Sequence, residues 1–161
     1  MNRLFASLVL LLLLSSGLSA ADLRQVTGKV VGVHDGDTVT VLHGKGKKLK
    51  VRLEGIDAPE TNQPFGDASR QALDTMVYGK VVTVVPTTVD KYGRTVGRVW
   101  LRQFDVNREM VRIGLAWWYD HYSQEAALAQ AQQQARYYHW GLWQDSHPTP
   151  PWVWRDIHPL R

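Results

Sequence analysis

Four short segments carry carboxylates and guanidinium groups in an order that suggests chemistry on a phosphate ester. They are residues 35–38 (DGDT), 52–60 (RLEGIDAPE), 90–94 (DKYGR) and 114–119 (GLAWWY). Each segment alone has an ordinary explanation, because Asp-Gly is typical of a turn between strands and the others can end a strand or form a hairpin. Together they supply metal ligands, anion-binding cations and a spare carboxylate.

The acidic residues of these segments predict a hard divalent cation. Asp37 and Asp57 offer anionic oxygen ligands, and a backbone carbonyl near Pro59 could add a third. Two carboxylates with no histidine partner favour Ca²⁺ or Mg²⁺ over zinc or copper.

The arginines and the remaining carboxylate complete the chemistry. Arg52 and Arg94 each present a planar fork that matches phosphate oxygens better than lysine does. Glu60 is left for proton transfer or for orienting a water molecule, and the sequence does not decide between these roles. Hydrolysis of a phosphodiester passes through a phosphorus centre with extra negative charge, which preorganised cations stabilise. The set therefore predicts a phosphodiester hydrolase.

These segments resemble the staphylococcal nuclease (thermonuclease) family of calcium-dependent nucleases. The resemblance runs from about residue 30 to residue 143 and includes residues 35–38, 52–60, 90–94, 106–107, 114–116 and 141–143. Several ordered motifs with coherent spacing make it a specific signal. It implies a mixed β and α fold, namely an OB-fold with a five-stranded Greek-key β-barrel and about three packed helices.

The resemblance also implies a role for individual residues. The positions that match the family's calcium site are Asp37, Asp57 and Ala58, the last through its backbone carbonyl. The positions that match catalytic residues are Arg52, Glu60 and Arg94. Two further residues, Lys91 and Tyr92, match contacts to nucleotide phosphate. The family's aromatic contact after Gly-Leu-Ala could be Trp118, Tyr119 or Tyr122.

The activity implied is calcium-dependent endonuclease cleavage of DNA and RNA without sequence preference, leaving 3′-phosphate ends. The alternative is a non-catalytic OB-fold module that binds nucleic acid or a protein, as degenerate members of the family do. Such modules usually lose the metal-binding acids or the paired arginines, and here every one of those positions is suitable. Residues 61–68 form a shorter segment than the family's mobile loop, so we expect substrate access and the preference for single strands to differ from the family's.

The elements that must position these residues follow from periodicity. Residues 25–33, 38–42, 48–54, 80–85 and 95–101 are rich in β-branched side chains and predict five strands, which suggest a closed barrel. In the third strand Leu49, Val51 and Leu53 share one face, and the other face is charged. Helices are predicted over residues 69–77, 106–113 with Asp105 as the cap, and 123–139.

Length and composition predict one globular domain. The chain has 161 residues, a net charge of +4, 44% hydrophobic and 21% charged residues, which excludes a disordered protein. No cysteine is present, so a disulfide scaffold, a thiolate metal site and a cysteine nucleophile are excluded. The six histidines show no ligand spacing, which argues against zinc. We expect a monomer.

The two ends are expected to lie outside the nuclease domain at residues 22–145. Residues 1–21 have a basic start, an apolar run and small residues before Asp22, as in a cleaved signal peptide. An uncleaved anchor is the alternative, but no second apolar stretch follows, so we expect an exported protein, periplasmic or secreted. The tail at residues 146–161 contains Trp152 and Trp154 among prolines and is expected to be extended and packed by its tryptophans, or else a recognition arm.

A cluster of lysines lies on the predicted hairpin between the second and third strands. Its members are Lys45, Lys47, Lys48 and Lys50. They are either a solvated turn or a surface that attracts phosphates regardless of sequence.

Overall fold

A computed structural model describes residues 24–159, so the predicted signal peptide lies outside the described residues. The strands are β1 (Val26–Val33), β2 (Thr38–His43), β3 (Lys47–Leu53), β4 (Ile56–Asp57), β5 (Val81–Val89), β6 (Thr95–Leu101), β7 (Phe104–Asp105) and β8 (Trp117–Trp118). The α-helices are α1 (Gly66–Val77), α2 (Val106–Arg112), α3 (Ala126–Tyr137) and α4 (Pro151–Ile157), and a 3₁₀ turn covers Gly141–Gln144. Over the described range, every helix is too short or too polar to cross a bilayer.

Five of the strands close into a barrel. Their order is β3-β2-β1-β5-β6, and a parallel pairing of β3 with β6 joins the two edges. The other neighbours in the barrel pair antiparallel. The predicted OB-fold barrel is therefore confirmed, and all five predicted strands are present with ends shifted by no more than a few residues.

The barrel interior is filled by one face of each strand. In β3, Val51 and Leu53 are fully buried while Lys48 and Lys50 are exposed, as the alternation predicted. Valines dominate the core and fit the pleated surface because they are branched at Cβ. Each fully buried valine or leucine stabilises the fold by roughly 1.5–3 kcal/mol. The core makes the barrel a rigid support for the loops at its rim.

Helix α2 is tied to the barrel by its cap and by one buried amide. Asp105 caps the helix as predicted, accepting a hydrogen bond of 3.0 Å from the backbone N–H of Arg108. Asn107 accepts from the Val99 N–H at 3.0 Å and donates to the Glu54 carbonyl at 2.9 Å. Asn107 therefore fixes the turn between β3 and β4, which leads to the candidate site.

The structure corrects one prediction, that of an extended tail. Within residues 24–159 the tail contains α4, which is present in addition to the three helices expected from the sequence. Pro151 stands at the first helical turn, where its fixed φ and missing N–H suit a helix start. The tail still packs through a tryptophan, since Trp152 stacks on Tyr119 at 4.9 Å and meets Trp117 edge-on at 5.6 Å between ring centroids.

Candidate active site

Asp37 is placed by a tight turn between β1 and β2. Its backbone N–H donates to Oδ1 of Asp35 at 3.0 Å. Gly36 fits there because a Cβ at this position would lie 1.8 Å from Oγ of Ser69 on α1. The turn is thus pressed against α1, and the residue after the glycine is directed into the domain, where Asp37 is buried.

Arg52 is brought beside Asp37 by the register of the β2–β3 hairpin. Thr38 lies opposite Arg52, and the N–H of Leu53 donates to the carbonyl of Asp37 at 2.7 Å. Because side chains alternate along β3, Arg52 is on the face opposite Leu53 and points out of the barrel core.

Asp57 comes to the same place through a sharp turn after β3. Gly55 has φ of +72°, a left-handed conformation that favours glycine. Strand β4 then pairs with β8, so that Asp57 lies opposite Trp117. Arg52 stabilises this turn by donating from Nη1 to the carbonyl of Ile56 at 2.8 Å.

One guanidinium joins the two buried acids. Arg52 Nη1 lies 3.1 Å from Asp37 Oδ2, and Arg52 Nη2 lies 2.9 Å from Asp57 Oδ1. The side chain of Arg52 is 15% exposed, that of Asp37 is 7% exposed and that of Asp57 is 2% exposed. Asp37 also accepts from the Thr38 hydroxyl at 2.9 Å and from the Ala58 N–H at 2.8 Å. The aspartates predicted as metal ligands and the arginine predicted as catalytic therefore form one cluster.

Both aspartates are electrostatically suited to a cation. Burial raises the pKa of Asp37 to about 6, although Arg52 acts in the opposite direction. Burial also raises the pKa of Asp57; a hydrogen bond from Arg155 opposes this and the nearby charge of Asp37 adds to it. Added positive charge at the pair would stabilise its ionised form.

The donor set fits a hard divalent ion with few protein ligands. Residues 24–159 contain no group of three or more histidine, cysteine, aspartate or glutamate side chains that could hold a metal. An ion would therefore have Asp37 and Asp57, a backbone carbonyl such as that of Ala58, and otherwise water or substrate oxygens. Such an all-oxygen set suits Ca²⁺ or Mg²⁺.

Glu60 lies on the loop that follows β4, at the edge of this cluster. Its backbone is held by Gln63, which accepts from the Glu60 N–H at 3.1 Å and donates its own N–H to the Glu60 carbonyl at 2.8 Å. Gly66 packs so closely that a Cβ would lie 2.0 Å from that carbonyl oxygen. The side chain is 40% exposed, as a group that handles solvent water must be.

Arg155 is a member of the cluster that the sequence did not indicate. From α4 it donates to Asp57 Oδ2 at 2.8 Å, to Asp57 Oδ1 at 3.3 Å and to Glu60 Oε1 at 2.8 Å. Although partial burial opposes it, hydrogen bonding to these carboxylates raises the pKa of Arg155. The tryptophans of the tail predicted that it packs on the domain, but its spacing did not place a cation at the site.

Arg94, Lys91 and Tyr92 lie on the turn between β5 and β6. Asp90 organises this turn, accepting from Arg94 Nε at 2.7 Å and from the Tyr92 N–H at 2.9 Å. The Tyr92 ring is exposed and two cations lie near it. Lys91 Nζ is 5.1 Å and the Arg94 guanidinium is 5.5 Å from the centroid of the ring.

The turn is near Arg52 but separate from the carboxylates. Arg52 pairs with Val96 in the parallel β3–β6 ladder, and Arg94 precedes Val96 by two residues, so the two arginines come from neighbouring segments at the same end of the barrel. In the described part of the chain, no hydrogen bond or ion pair joins Arg94 to Asp37, Asp57 or Glu60.

Comparison with known proteins assigns the chain to a family. The model of the staphylococcal nuclease homologue family matches residues 50–145. An uncharacterized endonuclease of Escherichia coli O157:H7 is 43% identical over 131 residues, which are 81% of this chain and 85% of that protein. A micrococcal nuclease of Shigella flexneri is 38% identical over 146 residues, which cover 84% of this chain and 82% of that protein.

An uncharacterized endonuclease of Haemophilus influenzae is similar to a comparable degree, with 42% identity over 145 residues, 90% of this chain and 82% of that protein. The chain therefore belongs to the staphylococcal nuclease family. The class predicted from the sequence, a nuclease among the hydrolases, is confirmed at that level.

Proposed function

We propose that the chain is a calcium-dependent endonuclease that hydrolyses phosphodiester bonds of DNA and RNA without sequence preference and leaves 3′-phosphate ends. The observation that carries this proposal is the convergence of two buried aspartates from separate strands on one guanidinium, with a solvent-accessible glutamate beside them. Burial raises the pKa of both acids, and acids with shifted pKa values beside a solvent-accessible carboxylate are typical of functional sites.

The residues that would hold calcium are Asp37, Asp57 and the backbone carbonyl of Ala58. Bound there, the ion would supply positive charge to a non-bridging phosphate oxygen. Carboxylate and carbonyl oxygens are the donors that calcium prefers, and both carboxylates are buried.

The two arginines and Glu60 handle the phosphate and the water. Arg52 has five N–H groups, and the one on Nε and one on Nη2 have no hydrogen-bond partner within residues 24–159, so they are available to phosphate oxygens. Arg94 adds a second planar guanidinium, whose hydrogen bonds to the phosphate oxygens strengthen as negative charge develops in the transition state. Glu60 accepts a proton from the attacking water or orients it for in-line attack. The 5′ oxygen leaves.

We also propose that the protein acts as an exported monomer after removal of residues 1–21. The basis for export is the pattern of a positive start, an apolar run and small residues before Asp22. Nucleic acids outside the cytoplasm would then be its substrates.

The first prediction separates the nuclease from a module that only binds nucleic acid. Plasmid and single-stranded DNA are incubated with the protein in Ca²⁺ or in chelator, together with Glu60→Gln. We expect cleavage in Ca²⁺, none in chelator, and a rate about 10²–10³ lower for Glu60→Gln, since the neutral amide lacks the negative charge that accepts the proton or orients the water. Gel analysis of the products and of their 3′ ends measures this.

The control for that experiment is Asp74→Asn, because Asp74 is a carboxylate on α1 whose side chain lies outside the cluster. It should cleave as the unchanged protein does. DNA that is retarded but intact in every lane would support the binding module and contradict the proposed nuclease.

The second prediction concerns the lysine cluster on the β2–β3 hairpin. All four side chains are exposed, and Lys48 and Lys50 lie on the same face of β3 as Arg52, so they extend the positive surface away from the site. Replacing all four lysines by glutamine should flatten the slope of log affinity against log salt by up to about 3 for single-stranded DNA. Titration of the fluorescence anisotropy of labelled DNA measures the slope, with Glu60→Gln as background to prevent cleavage. An unchanged slope would identify the cluster as a solvated turn.

A further inference from the structure

The C-terminal helix α4 occupies the candidate active site. Arg155 reaches both oxygens of Asp57 and one oxygen of Glu60, at 2.8–3.3 Å. Helix α4 lies beyond residue 145, where the match to the family model ends.

The contact with Asp57 competes directly with a cation. Asp57 is buried, with a side chain 2% exposed, and its Oδ1 already accepts from Arg52 at 2.9 Å. Arg155 Nη2 occupies the remaining oxygen, Oδ2. A divalent ion that approaches Asp57 therefore meets the guanidinium of Arg155 at the same oxygens, and repulsion between the two positive charges weakens binding of the ion while the helix is docked.

A tryptophan of the same helix covers an aromatic surface of the site. Trp152 stacks on Tyr119 with centroids 4.9 Å apart and planes only 4° from parallel. Bases of single-stranded nucleic acids stack on aromatic rings in this parallel manner. The docked helix thus holds a cation on the carboxylates and a flat ring on Tyr119, which are the contacts that a metal ion and a base would make.

The docking of α4 combines apolar packing with a few polar contacts. Pro151 is buried, and Trp152 packs against the small core cluster that contains Trp117 and Trp143. A hydrogen bond of 2.6 Å from Gln63 Nε2 to the Thr149 carbonyl and one of 3.3 Å from Trp154 Nε1 to Asn62 Oδ1 add to this packing. The helix has seven residues and no side-chain cap, and so short a helix is unstable without its contacts. Arg155 itself is 43% exposed, so water and salt weaken its ion pairs.

We propose that α4 is an autoinhibitory strap, docked through Arg155 and Trp152, whose binding to the carboxylates excludes the divalent cation and whose release accompanies cation binding. This inference rests on the proposed function, because it assumes that Asp57 is a metal ligand. Substrate and Ca²⁺ would each favour the undocked tail, since both need surface that the docked tail covers.

Calcium affinity tests the competition without any measurement of cleavage. Isothermal titration calorimetry is performed on the unchanged full-length protein, on Arg155→Gln and on Trp152→Ala. If the strap is docked in about 90% of molecules, both variants should bind Ca²⁺ about tenfold more tightly. Trp152→Ala is essential because it weakens docking without changing charge at the site. Arg112→Gln is the matched control, since Arg112 is held by Glu109 on α2, and its affinity should equal that of the unchanged protein.

Hydrogen exchange gives a second readout on the unchanged protein. The N–H groups of Trp154 and His158 are protected by bonds to the carbonyls of Pro150 and Trp154. Ca²⁺ should accelerate their exchange while the barrel strands stay protected.

Equal calcium affinity in all proteins, or slower exchange of α4 in Ca²⁺, would overturn the strap while leaving the calcium site intact. Tighter binding by Arg155→Gln alone would also overturn it, because removal of a positive charge would then suffice as the cause. If no protein binds Ca²⁺, the proposed calcium site fails and the strap fails with it.

Discussion

Replacing Arg52 by methionine should lower the free energy of unfolding by about 3–5 kcal/mol and abolish cleavage. Methionine keeps an apolar stem of similar length but leaves Asp37 and Asp57 facing each other in a buried site with one opposing cation fewer. The loss of the bond to the Ile56 carbonyl also frees the turn that carries Asp57. Urea denaturation measures the stability, and we expect Ca²⁺ to recover part of it by replacing the missing positive charge.

A second partly buried arginine provides the control for Arg52. Arg98 is 13% exposed and pairs with Asp105 at 3.5 Å and with Glu125 on the other side. Arg98→Met should also destabilise the protein, but each folded molecule should cleave DNA at the normal rate. Full stability of Arg52→Met would contradict the bridging role that we assign to Arg52.

Much of the architecture could be predicted from local pattern. The alternation of Leu49, Val51 and Leu53 in β3 placed the barrel core correctly, and Asp105 capped α2 as expected. These features depend on neighbouring residues, whose periodicity directly reflects burial. The meeting of Asp37 with Asp57 was predicted from resemblance, and the structure attributes it to strand register and to two tight turns, which no local pattern encodes.

The features that sequence reasoning missed depend on contacts between distant segments. Strands β4 and β8 have two residues each, too few for any period to be visible. Arg155 meets Glu60, 95 positions earlier in the chain, and nothing near Arg155 marks it as different from a solvated cation. The prolines of the tail suggested an extended segment, whereas Pro151 starts a helix because its restrictions are harmless in the first turn.

The two arginines assigned to the phosphate differ in what the fold requires of them. Arg52 neutralises buried acids and also has free N–H groups, so its structural and chemical roles cannot be separated by one substitution. Arg94 is held only at the surface, by Asp90 and beside the Tyr92 ring. A change at Arg94 can therefore remove chemistry while leaving the fold intact.

Arg94→Lys should lower kcat by about 10²–10³ and leave the free energy of unfolding within about 0.5 kcal/mol of its original value. Lysine keeps the charge and can still pair with Asp90, but it loses the planar fork that binds two oxygens of the phosphate as charge develops. Steady-state cleavage of a short fluorogenic oligonucleotide gives kcat, and urea denaturation of the same preparation gives stability. Arg108→Lys, at an exposed position on α2, is the matched control and should change neither quantity. Near-normal kcat in Arg94→Lys would show that the second guanidinium does not act on the phosphate, and the proposed mechanism would then have to rely on Arg52 alone.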